Sequence, residues 1–273
     1  MTAISYVVPT LNSAETLEAT LLSLTRQTGI AVNIVVVDSG STDQTSDICK
    51  RWEVPMLYAP PGNMYSAINL GLSQATTPWL AYLNSDDLLY SDSAARLIRQ
   101  GEQAHADLVY GNCDYIDYQG RFMYSFRPPP PAWLKSILRT GRNGFAQQTV
   151  IFKRSLYQSL HGFDDSYQYA ADFDFYARAF AQNAAFSFLK GPPLACFRLH
   201  SNQISQQKAT YLDQEATKAA ARLGRLSLAD RGVKYLWKLS NTMNYAVRMA
   251  RQSALARRLT ITRSMDGGAH AKD

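Results

Sequence analysis

Asp86 and Asp87 stand where the apolar run Trp79-Leu80-Ala81-Tyr82-Leu83 ends and Asn84-Ser85 begins. Like charges this close resist ionising together unless a cation, a hydrogen-bond network or open solvent compensates. A divalent cation carrying a diphosphate would do so; an Asx-rich turn capping a helix over Ser91 to Gln103 is the alternative. Asp172 lies in Tyr169-Ala170-Ala171-Asp172-Phe173-Asp174-Phe175-Tyr176, where aromatic and small neighbours would desolvate it and raise its proton affinity, the environment a general base needs. Asp174 points elsewhere on a helix and reads as a cap or a supporting group. His200, after Phe197-Arg198-Leu199, is either a structural histidine or a metal ligand.

The elements that must position these groups follow from apolar patterning. Ile4-Ser5-Tyr6-Val7-Val8 runs into Pro9-Thr10-Leu11-Asn12, and Asn33-Ile34-Val35-Val36-Val37 runs into Asp38-Ser39-Gly40-Ser41-Thr42-Asp43. Between them Leu17, Leu21 and Leu24 recur at helical spacing, with Glu15 and Glu18 near the start. Strand, helix, strand with near-continuous β-branched runs predicts an α/β fold with a mostly parallel sheet flanked by helices. Such sheets bind ligands at the carboxyl ends of their strands, so Thr10, Asn12, Asp38 and Asp86 should share one crevice. Asp38, ahead of a glycine turn, can accept a hydrogen bond from a nucleobase imide such as that of uracil; the alternative makes Asp38 and Ser39 turn residues, with Ser41, Thr42 or Asp43 capping a helix over Thr45 to Trp52. Pro60-Pro61-Gly62-Asn63 must be a loop, and Tyr65 and Asn69, four apart on the helix that follows, share a face from which they could reach the nucleotide.

Two familiar nucleotide signatures are missing. No G-x-G-x-x-G follows the first strand and no G-x-x-x-x-G-K-[ST] occurs, which argues against NAD, FAD and P-loop chemistry. Instead, Val8-Pro9-Thr10-Leu11-Asn12, Val37-Asp38-Ser39-Gly40-Ser41-Thr42-Asp43, Met64-Tyr65-Ser66-Ala67-Ile68-Asn69-Leu70-Gly71 and Leu83-Asn84-Ser85-Asp86-Asp87 resemble the successive motifs of family 2 glycosyltransferases with a GT-A fold. The resemblance continues through Gln147-Gln148, Gly162-Phe163-Asp164, Ala171-Asp172-Phe173-Asp174 and Phe197-Arg198-Leu199-His200.

That resemblance implies an inverting sugar transfer from a nucleotide-diphospho-sugar, a UDP-sugar first, with Asp172 as general base. It implies Mn²⁺ or Mg²⁺ as cofactor, held by Asp86 and His200. Pro9, Thr10, Asn12, Asp38, Tyr65, Asn69, Ser85 and Asp86 would contact the nucleotide, and Asn84, Asp87 and Gln148 would lie at the donor sugar or support the site. The family's Asp-x-Asp element carries Asn84 at its first acidic position, where an amide oxygen remains a neutral acceptor. Gly62-Asn63-Met64 replaces the family's usual Asp-x-Gly. Among Tyr167, Tyr169, Phe173, Phe175 and Tyr176, one or two could form a platform for a sugar ring, the rest being core.

With 273 residues, 46% of them hydrophobic, the chain can bury one large core plus an appended segment. The expected division is a catalytic domain over 1–210, a basic helical extension over 211–263 and a tail over 264–273. No stretch is long and apolar enough to span a bilayer, and Met1-Thr2-Ala3-Ile4 leads straight into the first strand, which predicts a cytoplasmic protein. Cys49, Cys113 and Cys196 have neither zinc-finger nor disulfide-framework spacing. The net charge of +6 is concentrated: residues 219–263 carry +9, residues 1–218 carry −2 and residues 264–273 carry −1.

Val233, Leu236, Trp237, Met243 and Val247 recur at three-to-four spacing among Lys234, Lys238, Arg248 and Arg251. Such a helix could lie on an anionic membrane surface, where a lipid-linked acceptor would be presented, or pack on the catalytic domain with a solvated basic face. No recognition motif accompanies the basic excess, so nucleic acid is not expected as a partner. Arg127-Pro128-Pro129-Pro130-Pro131 and the stretch from Gly141 to Gly144 read as loops that could fold over a bound donor. Two other function classes fit less well: a nucleotide-sugar sensor on a degenerate transferase fold, encouraged only by Asn84, and a glycoside hydrolase, which needs two acids facing across a cleft rather than a contiguous pair.

Overall fold

The computed structural model describes residues 3–200 and 207–250, with side chains through 242. Its strands are β1 (Ala3–Thr10), β2 (Ala31–Asp38), β3 (Met56–Tyr58), β4 (Trp79–Tyr82), β5 (Leu88–Leu89), β6 (Leu108–Gly111), β7 (Cys113–Ile116), β8 (Phe122–Phe126), β9 (Ile151–Lys153), β10 (Phe186–Leu189) and β11 (Ala195–Arg198). Its helices are α1 (Leu17–Thr25), α2 (Thr45–Arg51), α3 (Met64–Ser73), α4 (Ser93–Gln103), α5 (Pro131–Arg139), α6 (Arg154–Ser159), α7 (Ala171–Ala181), α8 (Ala209–Ala220) and α9 (Leu228–Ala250). The main sheet runs β10-β6-β9-β4-β1-β2-β3, and only β9 is antiparallel to its neighbours.

Strand alternation sorts the core into two layers. Ile4, Tyr6 and Val8 of β1 pack with Leu17, Leu21, Ile48 and Leu97 from α1, α2 and α4. Val7 and Val37 face Ala67, Ile68 and Leu72 of α3 and the aromatic residues of α7. Each fully buried Leu, Ile or Val contributes about 1.5–3 kcal/mol, so both faces of β1 hold the sheet between helices. Gly71 is needed where α3 presses on β1, because a Cβ there would meet the Val7 side chain at 2.7 Å.

A second sheet, β5-β11-β7-β8, does not follow from the sequence pattern but positions the acidic pair. β5 begins directly after Asp87 and pairs antiparallel with β11, Cys196 opposite Leu88, so the residues just beyond β11 return to Asp86. β5 also separates Asp86-Asp87 from α4, which corrects the alternative in which this pair caps that helix. The proline loop, expected to be stiff, and the stretch from Gly141 to Gly144, expected to be flexible, are both tied into the fold. Pro129 O accepts from the buried Tyr110 hydroxyl, Arg127 O accepts from Trp237 Nε1 and Asn241 Nδ2, and Pro131 starts α5. Arg142 makes a two-pronged ion pair with Asp213 of α8, at 2.9 and 3.2 Å.

α9 packs on α5 and β8 through Trp237, whose ring stands edge-on to Phe126 at 5.6 Å. The apolar stripe read from the sequence is split: Trp237 is buried, whereas Leu236 is exposed. Met243 and Val247 belong to the side chains outside the described set, and the extension beyond residue 250 and the tail over 264–273 lie outside the described residues. No helix among the described residues is long and apolar enough to cross a membrane.

Candidate active site

The carboxyl ends of β1 and β2 are laced together. Their register puts Thr10 opposite Asp38, and Thr10 Oγ1 donates to Asp38 Oδ1 at 3.1 Å. The other Asp38 oxygen accepts from the Gly40 and Ser41 amides, both at 2.9 Å, and Ser41 Oγ donates to Oδ1. Four local donors therefore occupy the carboxylate, so Asp38 is a turn organiser in this geometry. Asn12, in the left-handed region at φ 51°, accepts from Thr42 N and donates its own N–H to Ser41 Oγ. Pro9 is buried in β1 beside Thr10. Asp43 accepts from Ala14 N and from Thr45 N at the start of α2, as a loop-and-helix anchor should. Ser85 reaches this cluster through a 2.8 Å hydroxyl contact with Ser13.

Asp86 and Asp87 face different surroundings. Asp86 is partly exposed and its Oδ2 lies 2.9 Å from His200 Nε2. Asp87 is fully buried, accepting from Arg198 N at 2.9 Å, Gln148 Nε2 at 2.7 Å and Asn84 Nδ2 at 3.3 Å. Burial first, and then the neighbouring Asp86 charge, push the Asp87 carboxyl well above the usual carboxylate range. Of the places expected for Asp87 and Gln148, at the donor sugar or in support of the site, this geometry gives the supporting one: Gln148 donates to Asp87, and Asp87 closes the turn. Arg198 Nε also donates to Asp86 O, so one residue of β11 fastens both acids.

Asp172 lies in the first turn of α7. Tyr65 donates its hydroxyl to Asp172 Oδ1 at 3.1 Å, Phe173 N donates to the same oxygen at 2.7 Å, and Asn143 Nδ2 lies 3.4 Å from Oδ2. Burial raises the Asp172 carboxyl above its ordinary value, and these donors only partly offset the rise. Tyr82 feels both groups: burial holds its phenol well above the usual value, and the charges of Asp172 and, more weakly, Asp87 push the same way.

Several functional neighbours had no local signature. Glu215 of α8 accepts the backbone N–H groups of Gln168, Tyr169 and Ala170, at 2.8–2.9 Å, and so fixes the entry to α7. Asn63 accepts from Tyr65 N to cap α3 and donates to Asp165 O and Tyr167 O. Asn69, expected at the nucleotide, instead donates to Phe163 O and accepts from Phe163 N and Tyr157 Oη. Tyr167, Phe173, Phe175 and Tyr176 are buried, leaving partly exposed Tyr169, whose ring lies 6.1 Å from that of exposed Tyr211, as the available platform. Asp174 is buried against Arg178 and Arg222 in a structural ion pair.

A divalent cation fits what is present. Among the described residues no three His, Cys, Asp or Glu side chains converge. Asp86 and His200 nevertheless offer an oxygen and a nitrogen side by side, and Asn84 Oδ1 is a buried acceptor without a hydrogen-bond partner. A hard cation bound mainly through a diphosphate and water needs no larger protein cage.

The profile of glycosyl transferase family 2 matches residues 5–160. A PGL/p-HBAD biosynthesis glycosyltransferase of Mycobacterium bovis is 31% identical over 238 residues, covering 82% of this chain and 86% of that protein. The fold is similar to that of S. aureus TarS 1–349 in complex with UDP, with a TM-score of 0.62 and 22% identity over 81% of this chain and 65% of that one. Glucosyl-3-phosphoglycerate synthase from Mycobacterium tuberculosis, in complex with Mn²⁺, UDP and phosphoglyceric acid, gives a TM-score of 0.59 and 16% identity, over 83% and 80% of the two chains. With the profile covering more than half of the chain and a relative 31% identical over most of its length, this protein belongs to glycosyl transferase family 2 and is a glycosyltransferase.

Proposed function

We propose that the protein moves a sugar, with inversion, from a UDP-sugar to a hydroxyl of a glycan or lipid-linked acceptor on the cytoplasmic side of a membrane. The observation that supports this best is that buried Tyr82 feels the charge of Asp172, a carboxyl raised by burial, and also that of Asp87, the chain neighbour of the Asp86 that meets His200. Bound Mn²⁺ or Mg²⁺ would stabilise negative charge on the departing diphosphate, with Asp86, His200 and the Asn84 amide oxygen as its protein contacts. Asp172 accepts the acceptor hydroxyl proton as that oxygen attacks the anomeric carbon from the face opposite the diphosphate. Tyr65 and Asn143 hold the carboxylate, and Glu215 holds the loop that carries it. Asp38 receives the uracil imide N–H when the Ser41 hydroxyl, the donor most free to turn, yields its place. UDP in TarS and Mn²⁺ with UDP in the synthase belong to those proteins and lend this donor and cofactor their first claim.

A thermal-shift panel of UDP-, GDP- and dTDP-sugars with and without Mn²⁺ tests the donor half. At a ligand concentration about 100-fold above Kd the folded state gains about 2.7 kcal/mol, which should raise the melting temperature of a chain this size by about 5–10 °C. The rise should be confined to UDP-sugars, and Asp86→Ala should remove its Mn²⁺-dependent part. Selection of GDP- or dTDP-sugars would refute the donor assignment, and an unaltered Mn²⁺ response in Asp86→Ala the metal assignment.

The acceptor half turns on Tyr211. Truncating an exposed stacking ring removes about 1–1.5 kcal/mol, so Tyr211→Ala should raise acceptor KM about tenfold while leaving donor KM unchanged. Equal changes in both constants would remove Tyr211 from the acceptor site.

A further inference from the structure

Helix α9 is amphipathic twice over. Its inner side carries Trp237, packed on Phe126, and the buried acid Asp230, which accepts from Ser136 Oγ and from Ser227 and lies beside Arg139. On the opposite side Leu228, Tyr235 and Leu239 follow one another at steps of seven and four residues, the spacing of a single helical row. Leu228 is 83% exposed, Tyr235 69% and Leu239 46%, and Leu236 beside them is 53% exposed. Scattered exposed leucines need no explanation, but an aligned apolar row on one helix does.

Basic side chains border that row. Arg231 and Lys238 lie along one flank by helical position, both exposed, and exposed Arg225 precedes the helix. The only acid from 221 to 242 is Asp230, which is on the buried side. The sequence from 243 to 263 adds five Lys/Arg and no acid. Apolar side chains flanked by cations, with no exposed anion among them, match the interface of an anionic bilayer, where hydrocarbon lies beneath a negative surface. A second copy of the chain fits poorly on this face, since pairing it with itself would bring Arg231 and Lys238 against their own kind with no acid to neutralise them.

The face also adjoins the acceptor side of the active site. Lys234 is held below its ordinary pKa by burial and then by the nearby charges of Arg142 and Lys238. Arg142 is bound to Asp213, and the next residue, Asn143, touches Asp172. We propose that the Leu228-Tyr235-Leu239 face of α9, with Arg231 and Lys238, docks the enzyme on an anionic lipid surface beside the loop that carries Asn143. The docking deepens the lipid-linked acceptor reading by naming its surface, yet the binding itself does not require that transfer occur.

Co-flotation of the full chain with vesicles, in the absence of any nucleotide sugar, tests it. The protein should float with phosphatidylcholine vesicles containing about one third phosphatidylglycerol, should not float with phosphatidylcholine alone, and should be released by salt. Because each basic residue near the surface is worth about fivefold in partition, Arg231→Glu with Lys238→Glu should lower binding more than about tenfold. Leu228→Ser, Tyr235→Ser and Leu239→Ser together should do the same. Lys50→Glu with Arg99→Glu, an equal charge change at exposed positions of α2 and α4, should leave binding within about twofold.

All variants replace solvent-facing side chains, and unchanged melting temperatures would verify that they fold. Failure of the parent protein to float with anionic vesicles, unchanged binding by either α9 variant, or a lipid-independent dimer dispersed by the serine variant would each overturn the proposal. The UDP-sugar thermal shift reads separately, so a protein that binds donor but not vesicles loses only the docking.

Discussion

Asp172→Asn should abolish sugar transfer, by about 10²–10⁴-fold or more, while leaving the KM for the UDP-sugar within a few-fold and the fold at least as stable as before. The activity loss follows from removing the proton acceptor. The stability result follows from the sign of the pKa shift. Burial raises the Asp172 carboxyl in the folded protein, so its stabilising contribution is present below the unfolded carboxylate value and is lost as pH rises through the folded value. At neutral pH the ionised side chain is a burden that the amide relieves. Hydrogen bonding is kept as well: Tyr65 and Phe173 still find an oxygen, and Asn143, whose Oδ1 is buried without a partner, can turn its amide to accept from the new NH₂. In the parent enzyme the acid limb of kcat/KM should lie above the ordinary aspartate value of about 3.9. Transfer by Asp172→Asn within about tenfold of the parent would exclude Asp172 as the base.

The parts of this site that were legible in the sequence are those carried by local pattern. Apolar runs ending in polar residues marked β1, β2 and β4, β-branched in the first two, and parallel pairing then obliged Thr10 and Asp38 to meet. The Pro-Gly loop and the helix after it were legible as well, whereas the hydrogen bond from Tyr65 of that helix to Asp172 was not. The second sheet was hidden because β5 has two residues and β11 four, too short for a periodic signal, and their pairing joins segments about a hundred residues apart. Arg198, Asn143 and Glu215 act through that kind of long-range closure, and a single polar residue in a loop or helix announces no such partner. Composition marked the segments around Pro129 and Arg142 as loops, the first stiff and the second flexible, but could not reveal the tertiary bonds to Tyr110, Trp237 and Asp213 that hold them. In α9 periodicity was ambiguous because apolar residues occur around much of the helix, and the inner side is the one that carries buried Trp237 and Asp230.

Asp87→Ala should be the most damaging change near the metal side, lowering stability by on the order of 3–5 kcal/mol and the melting temperature by about 10 °C. Its carboxylate is the common acceptor for Arg198 N, Gln148 Nε2 and Asn84 Nδ2 in a site closed to solvent. Truncation strands three buried donors, each costing about 1–3 kcal/mol if water does not enter, with some relief as neighbours relax. Loss of the negative charge is not the source of the penalty. The Asp87 carboxyl is raised by burial and by Asp86, so its ionised form already opposes folding above the folded value, and the stability it lends is found at lower pH. Asp87→Asn should therefore be mild, at about 1 kcal/mol, because Arg198 N keeps an oxygen, and Gln148 and Asn84, which both donate to the other position, can turn their amides to offer oxygens to the new NH₂. Activity should follow the same order, since Arg198 also fastens the Asp86 backbone and the end of β11 carries His200. Urea melts of the two variants decide the matter: equal losses would mean that charge rather than hydrogen-bond closure holds this turn, and an Asp87→Ala protein as stable as the parent would mean that the turn does not depend on Asp87 at all.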